Sequence, residues 1–395
     1  MTVAAPRQQP QVEEEPQVLF PEARQRRRRR YWRSGLVLVL SVCLGVALYN
    51  RFGGSSRRAP TAHAKPAAAD RRPSTRPAIP GIVPQRPGPL ALGPNGDLYV
   101  ADEALNEILA RLPNGQFKVV AGTGRVGFSG DNGPATQAEL NGPQGMAVAA
   151  NGTLYFADTG NSRVRAVSPD GTITTVAGDG SAATGPGGTP IVSGTAVGTA
   201  IGAPYAVALG TNGSLFVAAS DAVLELTSSD ALRIIIDPQN DVGFAPTEPL
   251  NGQCEPESIA PDAFGDLYIG CSDPYVLIER LPDGTLKPLG PDRPHDTAAA
   301  LVEAPNGDVL AVDGFGIVQY GPAGQHLVAN FLAHGLPDGE NFEPQGIAAG
   351  STGTLFLSQD GTSGIGPPTI VERTPGGIVR SLWNDPATAD ARRAR

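Results

Sequence analysis

Cysteine and histidine are scarce in this 395-residue chain: Cys43, Cys254 and Cys271, and His63, His295, His326 and His334. A zinc centre needs three or four converging ligands, and the spacing of these histidines offers no such set. No Ser-His-Asp arrangement can be assembled from them either. Lysine is confined to Lys65, Lys118 and Lys287, so nearly all basic charge is arginine. That charge is unevenly placed. Residues 87–386 hold 11 Lys and Arg against 33 Asp and Glu, a net of −22 that the overall −9 conceals. A region so acidic repels phosphate backbones, which excludes nucleic-acid binding through it. The apolar segment Gly35–Tyr49 has only 15 residues, short of the ~20 of a full membrane span.

Glycine (50) and proline (38) are abundant instead. Between Gly122 and Gly178 they punctuate four runs of alternating hydrophobicity: Gly145–Ala149, Thr153–Ala157, Arg163–Val167 and Ile173–Ala177. The separators are Asn151-Gly152, Thr159-Gly160-Asn161 and Pro169-Asp170-Gly171. Asn-Gly and Asp-Gly favour tight hairpins because they accept positive φ cheaply. The pattern recurs. A Gly-x-Leu-Tyr-Val-like step falls at Leu98, Leu154, Leu215, Leu267, Val309 and Leu355, at spacings of 56, 61, 52, 42 and 46. Eight residues before each stands an apolar position: Leu90, Met146, Val207, Ile259, Leu301 and Ile347. Five of these have a proline three residues earlier, at Pro87, Pro143, Pro204, Pro256 and Pro344.

Six repeats of four strands predict an all-β, six-bladed β-propeller with four-stranded blades. Each blade hides its faces only against its neighbours, and circular closure leaves none exposed. The innermost strand starts at the Pro-x-x-apolar step, and the Leu-Tyr-Val run is the second strand. Gly178–Gly202 reads as a long loop between blades two and three. Whether Ile79–Gln85 adds a closing strand or Ile378–Trp383 ends the ring alone stays open at this level.

The unit at 122–178 closely resembles the NHL repeat, the blade sequence of a large β-propeller family. The likeness sits in Gly130-Asp131-Asn132-Gly133-Pro134-Ala135, Leu140-Asn141-Gly142-Pro143, Leu154-Tyr155-Phe156-Ala157-Asp158, Asn161-Ser162-Arg163-Val164 and Thr175-Val176-Ala177-Gly178. It is specific over about 60 residues and diffuse elsewhere. In that pattern Asp158, Asn161 and Arg163, with Asp102 and Asn106 repeating the first two, read as turn-capping and inter-blade packing groups. Asp131 reads as a loop former. The resemblance extends to the extracellular propellers of bacterial receptor proteins. Related six-bladed propellers include calcium-dependent lactonases, but their full Glu/Asn/Asp set does not occur at equivalent positions here.

Around the repeats the chain divides into five stretches. Residues 1–34 form a polar tail with seven arginines from Arg24 to Arg33, expected to be disordered. Residues 35–49 read as a single-pass membrane anchor, with a cleaved export signal as the alternative. The arginine excess before this segment places the tail in the cytoplasm and the rest outside. Residues 50–86, rich in Pro, Ala and Arg and carrying a net +7, read as an extended linker. The propeller spans 87–386, and 387–395 is a C-terminal tail.

Propellers place function at a mouth of the central channel, here where the innermost strands begin. By alignment that ring holds Gly88, Gln144, Tyr205, Glu257, Ala299 and Gln345, with Glu255 and Glu343 beside it. Gln144, Tyr205, Glu257 and Gln345 are the expected ligand-contacting side chains, against the plainer reading that they only hydrate the channel mouth. Neither metal nor cofactor is expected, Ca²⁺ being the one ion that carboxylate and amide oxygens would suit. Cys254 and Cys271 flank the first two strands of blade four and are expected to form a disulfide, the alternative being two buried thiols. The sequence therefore implies a membrane-tethered, extracytoplasmic module that binds a protein, an envelope polymer or a small ligand. The competing reading is a metal-dependent hydrolase or lyase at the same mouth.

Overall fold

A computed structural model describes residues 83–181, 194–220, 222–227, 230–236, 255–272, 275–289, 300–312, 316–322, 324–330, 344–361 and 368–384. Four-stranded antiparallel sheets follow one another along the chain. Blade one is β1 (Pro87–Leu92), β2 (Leu98–Asp102), β3 (Glu107–Arg111) and β4 (Phe117–Ala121). A short β5 (Gly133–Pro134) precedes blade two, which is β6 (Pro143–Val148), β7 (Leu154–Asp158), β8 (Arg163–Val167) and β9 (Thr172–Ala177). Likewise β10 (Gly194–Thr195) precedes blade three: β11 (Pro204–Leu209), β12 (Leu215–Ala219), β13 (Ala222–Leu226) and β14 (Ala231–Ile236). Blade four is β15 (Pro256–Pro261), β16 (Leu267–Ser272), β17 (Tyr275–Arg280) and β18 (Leu286–Leu289). Blade five is β19 (Ala300–Glu303), β20 (Val309–Val312), β21 (Gly316–Gly321) and β22 (Gly324–Asn330). Blade six is β23 (Gly346–Ala349), β24 (Leu355–Gln359), β25 (Thr369–Arg373) and β26 (Val379–Asn384).

Alternation along each strand sends apolar side chains to both blade faces, and each face buries against the next blade. Between blades one and two the core holds Ile108, Leu140, Leu154 and Phe156. Val164, Leu215 and Leu224 fill the next interface, and Val223, Ile259 and Ile269 the one after. Tyr268, Leu277 and Val309 join blades four and five; Val312, Ile347 and Leu357 join five and six. Leu90, Val100, Leu109 and Ile370 join six back to one. The apolar core is thus a ring of seams, and the inner strands touch in the same circular order, β23 meeting β1.

Small residues let the inner strands converge. A Cβ on Gly145 would lie 2.5 Å from Ala206 Cα and 2.7 Å from the Tyr205 carbonyl oxygen. At the far ends of the blades, glycines serve a different need. Gly171 closes the Pro169-Asp170-Gly171 turn at φ +85° with open space where a Cβ would go, its N–H donating to Ser168 O at 2.8 Å. Gly171→Ala therefore meets only the left-handed backbone penalty, about 1–2 kcal/mol, while Gly171→Asn should be close to neutral. Thermal melts of the two variants check this.

Two details differ from the sequence expectation. The Gly178–Gly202 stretch is not loop alone: its β10 pairs with the outer strand β14 through Gly194↔Leu232 and Thr195↔Ala231. The Gly130–Ala135 segment does the same one blade earlier, β5 pairing with β9. The connections are parallel in detail, since Gly122 N–H donates to Ala135 O and Gly178 N–H to Ala196 O. The chain thus binds the rim of the next blade before entering its inner strand. Among the described residues blade one takes its four strands from 87–121 and blade six its four from 346–384, while residues 79–82 of the other candidate closing strand lie outside them. Among the described residues there is no α-helix, and none long and apolar enough to cross a membrane. The expected anchor at 35–49 lies outside them.

Candidate functional site

The inner strands of blades one to four start in one register: Pro87 lies opposite Asp102, Pro143 opposite Asp158, Pro204 opposite Ala219 and Pro256 opposite Cys271. The residue after each proline is therefore equivalent, and these are Gly88, Gln144, Tyr205 and Glu257. In blade six Gln345 directly precedes β23, its N–H donating to Ser358 O at 2.8 Å. The fold brings all four expected ligand-contacting residues to one mouth. Gln144, Tyr205 and Gln345 are half-buried and Glu257 is exposed. Gln144 and Tyr205 are neighbours, since Gly145 abuts the Tyr205 carbonyl. Glu255 is exposed on the approach to β15, and its carbonyl accepts the Ser272 N–H at 3.1 Å. Ala299, Glu343 and Cys254 lie outside the described residues, as do His63, His295 and His334. His326 is exposed on β22.

In blades one and two the mouth is held by the last residue of the second strand. Asp102, fully buried, accepts the N–H groups of Gln85, Arg86 and Leu105. Asp158, also fully buried, accepts Asn141 N–H at 2.8 Å, Asn161 Nδ2 at 2.9 Å and Arg165 at 3.2 Å. Burial pushes the Asp158 carboxyl above the usual carboxylate range, and the bonds from Asn161, Asn141 and Arg165 pull it partly back. Blade three has Ala219 at this position, and Ser220 substitutes, exchanging bonds with Ala203. In blade four Cys271, 3% exposed, is disulfide-bonded.

Asn106 and Asn161 stitch rather than catalyse. Asn106 Oδ1 accepts Gly142 N–H of the next blade at 2.9 Å, and Asn161 Nδ2 donates to Gly127 O at 2.7 Å. Arg163 donates to Asn161 O and Asp179 O and lies 3.8 Å over the Phe128 ring. Asp131 does more than shape its loop, because it ties Arg165 at 2.8 Å and Thr175 at 2.7 Å. Sequence reading missed Arg165, a fully buried cation between Asp131 and Asp158. Its only signal is an arginine flanked by the apolar Val164 and Ala166 and two residues before Val167.

A second titratable group sits at the opposite end of the inner strands, in blades four and five. Burial raises the Asp266 and Glu303 carboxyls, and the nearby Asp262 charge raises them further. Tyr268 donates to Glu279 at 3.3 Å and is held protonated by burial and that carboxylate. Among the described residues no group of three or more His, Cys, Asp or Glu is placed to hold a metal.

The profile of the teneurin NHL domain matches residues 90–168, from β1 to the end of blade two's third strand. Human Teneurin-4 is 39% identical over 89 residues, 19% of this chain. The chain spans about 3% of that relative's length. Solved structures with a similar fold include virginiamycin B lyase from Staphylococcus aureus, at 13% identity and TM-score 0.48, over 75% of this chain and 84% of that one. A gluconolactonase from Xanthomonas campestris has the same identity and TM-score over 70% and 84%. Residues 90–168 match the teneurin NHL domain, and with its six four-stranded sheets the protein is a six-bladed β-propeller whose first two blades resemble NHL repeats.

Proposed function

We propose that the protein is a binding module, its ligand surface the mouth where the inner strands begin, held outside the cytoplasm by the segment at 35–49. One observation carries this reading. Equivalent positions on a rigid ring present two amides, a phenol and a carboxylate, Gln144, Gln345, Tyr205 and Glu257, while the buried Asp and Arg groups nearby are committed to holding loops. Varied hydrogen-bonding chemistry on fixed strands suits recognition, because little ordering cost remains to be met on binding. The partner is a protein, an envelope polymer or a small ligand.

A photo-crosslinker placed at Tyr205 or Gln345 in cells should capture a discrete partner. The same probe at Asn212, exposed at the far end of the inner strand, should not. Equal labelling from both positions would remove the mouth from consideration. Stoichiometric Ca²⁺ in the purified protein, with a melting shift lost in Glu257→Ala, would assign the mouth to metal-dependent hydrolysis instead.

A further inference from the structure

Blades one and six are the first and last in the chain, so no peptide link joins them. At the one–two and two–three seams the arriving chain does the joining: β5 and β10 pair with the rim of the next blade, and Asn106 holds Gly142. The six–one seam is closed from a different direction. Arg86, directly before β1, reaches Asp360 of blade six at 3.5 Å and Glu103 of blade one at 3.4 Å. Its backbone N–H and that of Gln85 are held by the buried Asp102 carboxylate. One residue pair further in, Ser358 Oγ donates to Gly88 O, and a Cβ on Gly346 would lie 2.7 Å from that same oxygen. Gln345, whose N–H donates to Ser358 O, completes the chain of contacts.

The last residues of the linker thus occupy the seam, and the seam carries two of the mouth positions, Gly88 and Gln345. We propose that the segment preceding β1 gates the mouth: displacing Gln85 and Arg86 breaks the Arg86–Asp360 pair, loosens Gly88 from Ser358 and Gly346, and shifts Gln345. The gate rests on the reading of the mouth as the binding surface. Its elements suit a switch. Arg86 is 40% exposed, against 50% for Glu103 and 14% for Asp360, so its guanidinium stays open to water and its pairs are breakable, whereas the six apolar seams hold the ring as a whole.

Hydrogen exchange on the full chain tests this. Arg86→Ala and Asp360→Asn should speed exchange in Pro87–Leu92 and Gly346–Ala349 by about five-fold or more, with β11 and β12 across the ring unchanged. Arg380→Ala, which breaks the exposed Arg380–Glu372 pair of the same blade, should leave both seam strands as they are. Exchange that is unaltered by Arg86→Ala, or raised equally in every blade, overturns the gate. The readout needs no ligand, so its failure is distinguishable from failure of the crosslinking that tests the mouth itself.

Discussion

Arg165→Met will cost about 3–5 kcal/mol of folding stability, the usual loss when one member of a buried ion pair is removed. Arg165 is fully buried between Asp158 at 3.2 Å and Asp131 at 2.8 Å. Its guanidinium also bonds Ser129 O and lies 4.9 Å from the Phe128 ring. Methionine fills much of the same space without a charge, so the loss reflects a stranded carboxylate more than a cavity. Asp158 already has its folded pKa raised by burial despite Arg165. A carboxyl raised in this way contributes stability that is full below its unfolded pKa and lost as pH rises through the folded value. Without Arg165 the folded value rises further, so the variant's deficit should be greatest near pH 7 and should shrink as the solution is acidified. Asp158→Asn in the Arg165→Met background should recover much of the loss, a non-additivity expected of contacting groups. Denaturant melts from pH 4 to 8 measure all three. A loss under about 1 kcal/mol that ignores pH would show the pair to be solvated and incidental.

The contrast between what was legible and what was not follows sequence separation. Strands β6 to β9 were readable because alternation and Asn-Gly or Asp-Gly turns act over a few residues, and six recurrences of that local code gave the ring. The mouth followed from the register, since the residue after each inner-strand proline must face the same opening. Arg165 and Asp131 are 34 positions apart, and Arg86 and Asp360 are 274 apart. No local pattern announces such pairs. β10 was hidden for another reason: Gly194-Thr195 has no alternation of its own, and its two pairings are dictated by β14.

Blade four offers a sharper case, in which register read from the structure extends a sequence expectation. In blades one and two the residue opposite the inner-strand proline grips the residue two before that proline: Asp102 holds Gln85 N–H, and Asp158 holds Asn141 N–H. In blade four the gripping position is Cys271, opposite Pro256, and the residue two before Pro256 is Cys254. Cys271 is disulfide-bonded, and although Cys254 lies outside the described residues, this equivalence selects it over Cys43. Mass spectrometry without reductant should find Cys254 linked to Cys271. Closing that loop is worth about 3 kcal/mol, so reduction should lower Tm by about 5 °C in a propeller of this size. Cys254→Ser/Cys271→Ser should melt at the reduced temperature and ignore reductant, while Cys43→Ser should retain the full shift. Free thiols at both positions, or a link from Cys271 to Cys43, would sink the pairing. A covalent clamp also has a reason to be in this blade. Glu255 just before β15 and Glu257 at its start are both exposed, and another carboxylate at the gripping position, where Asp102 and Asp158 stand in blades one and two, would add a third negative charge to that pair.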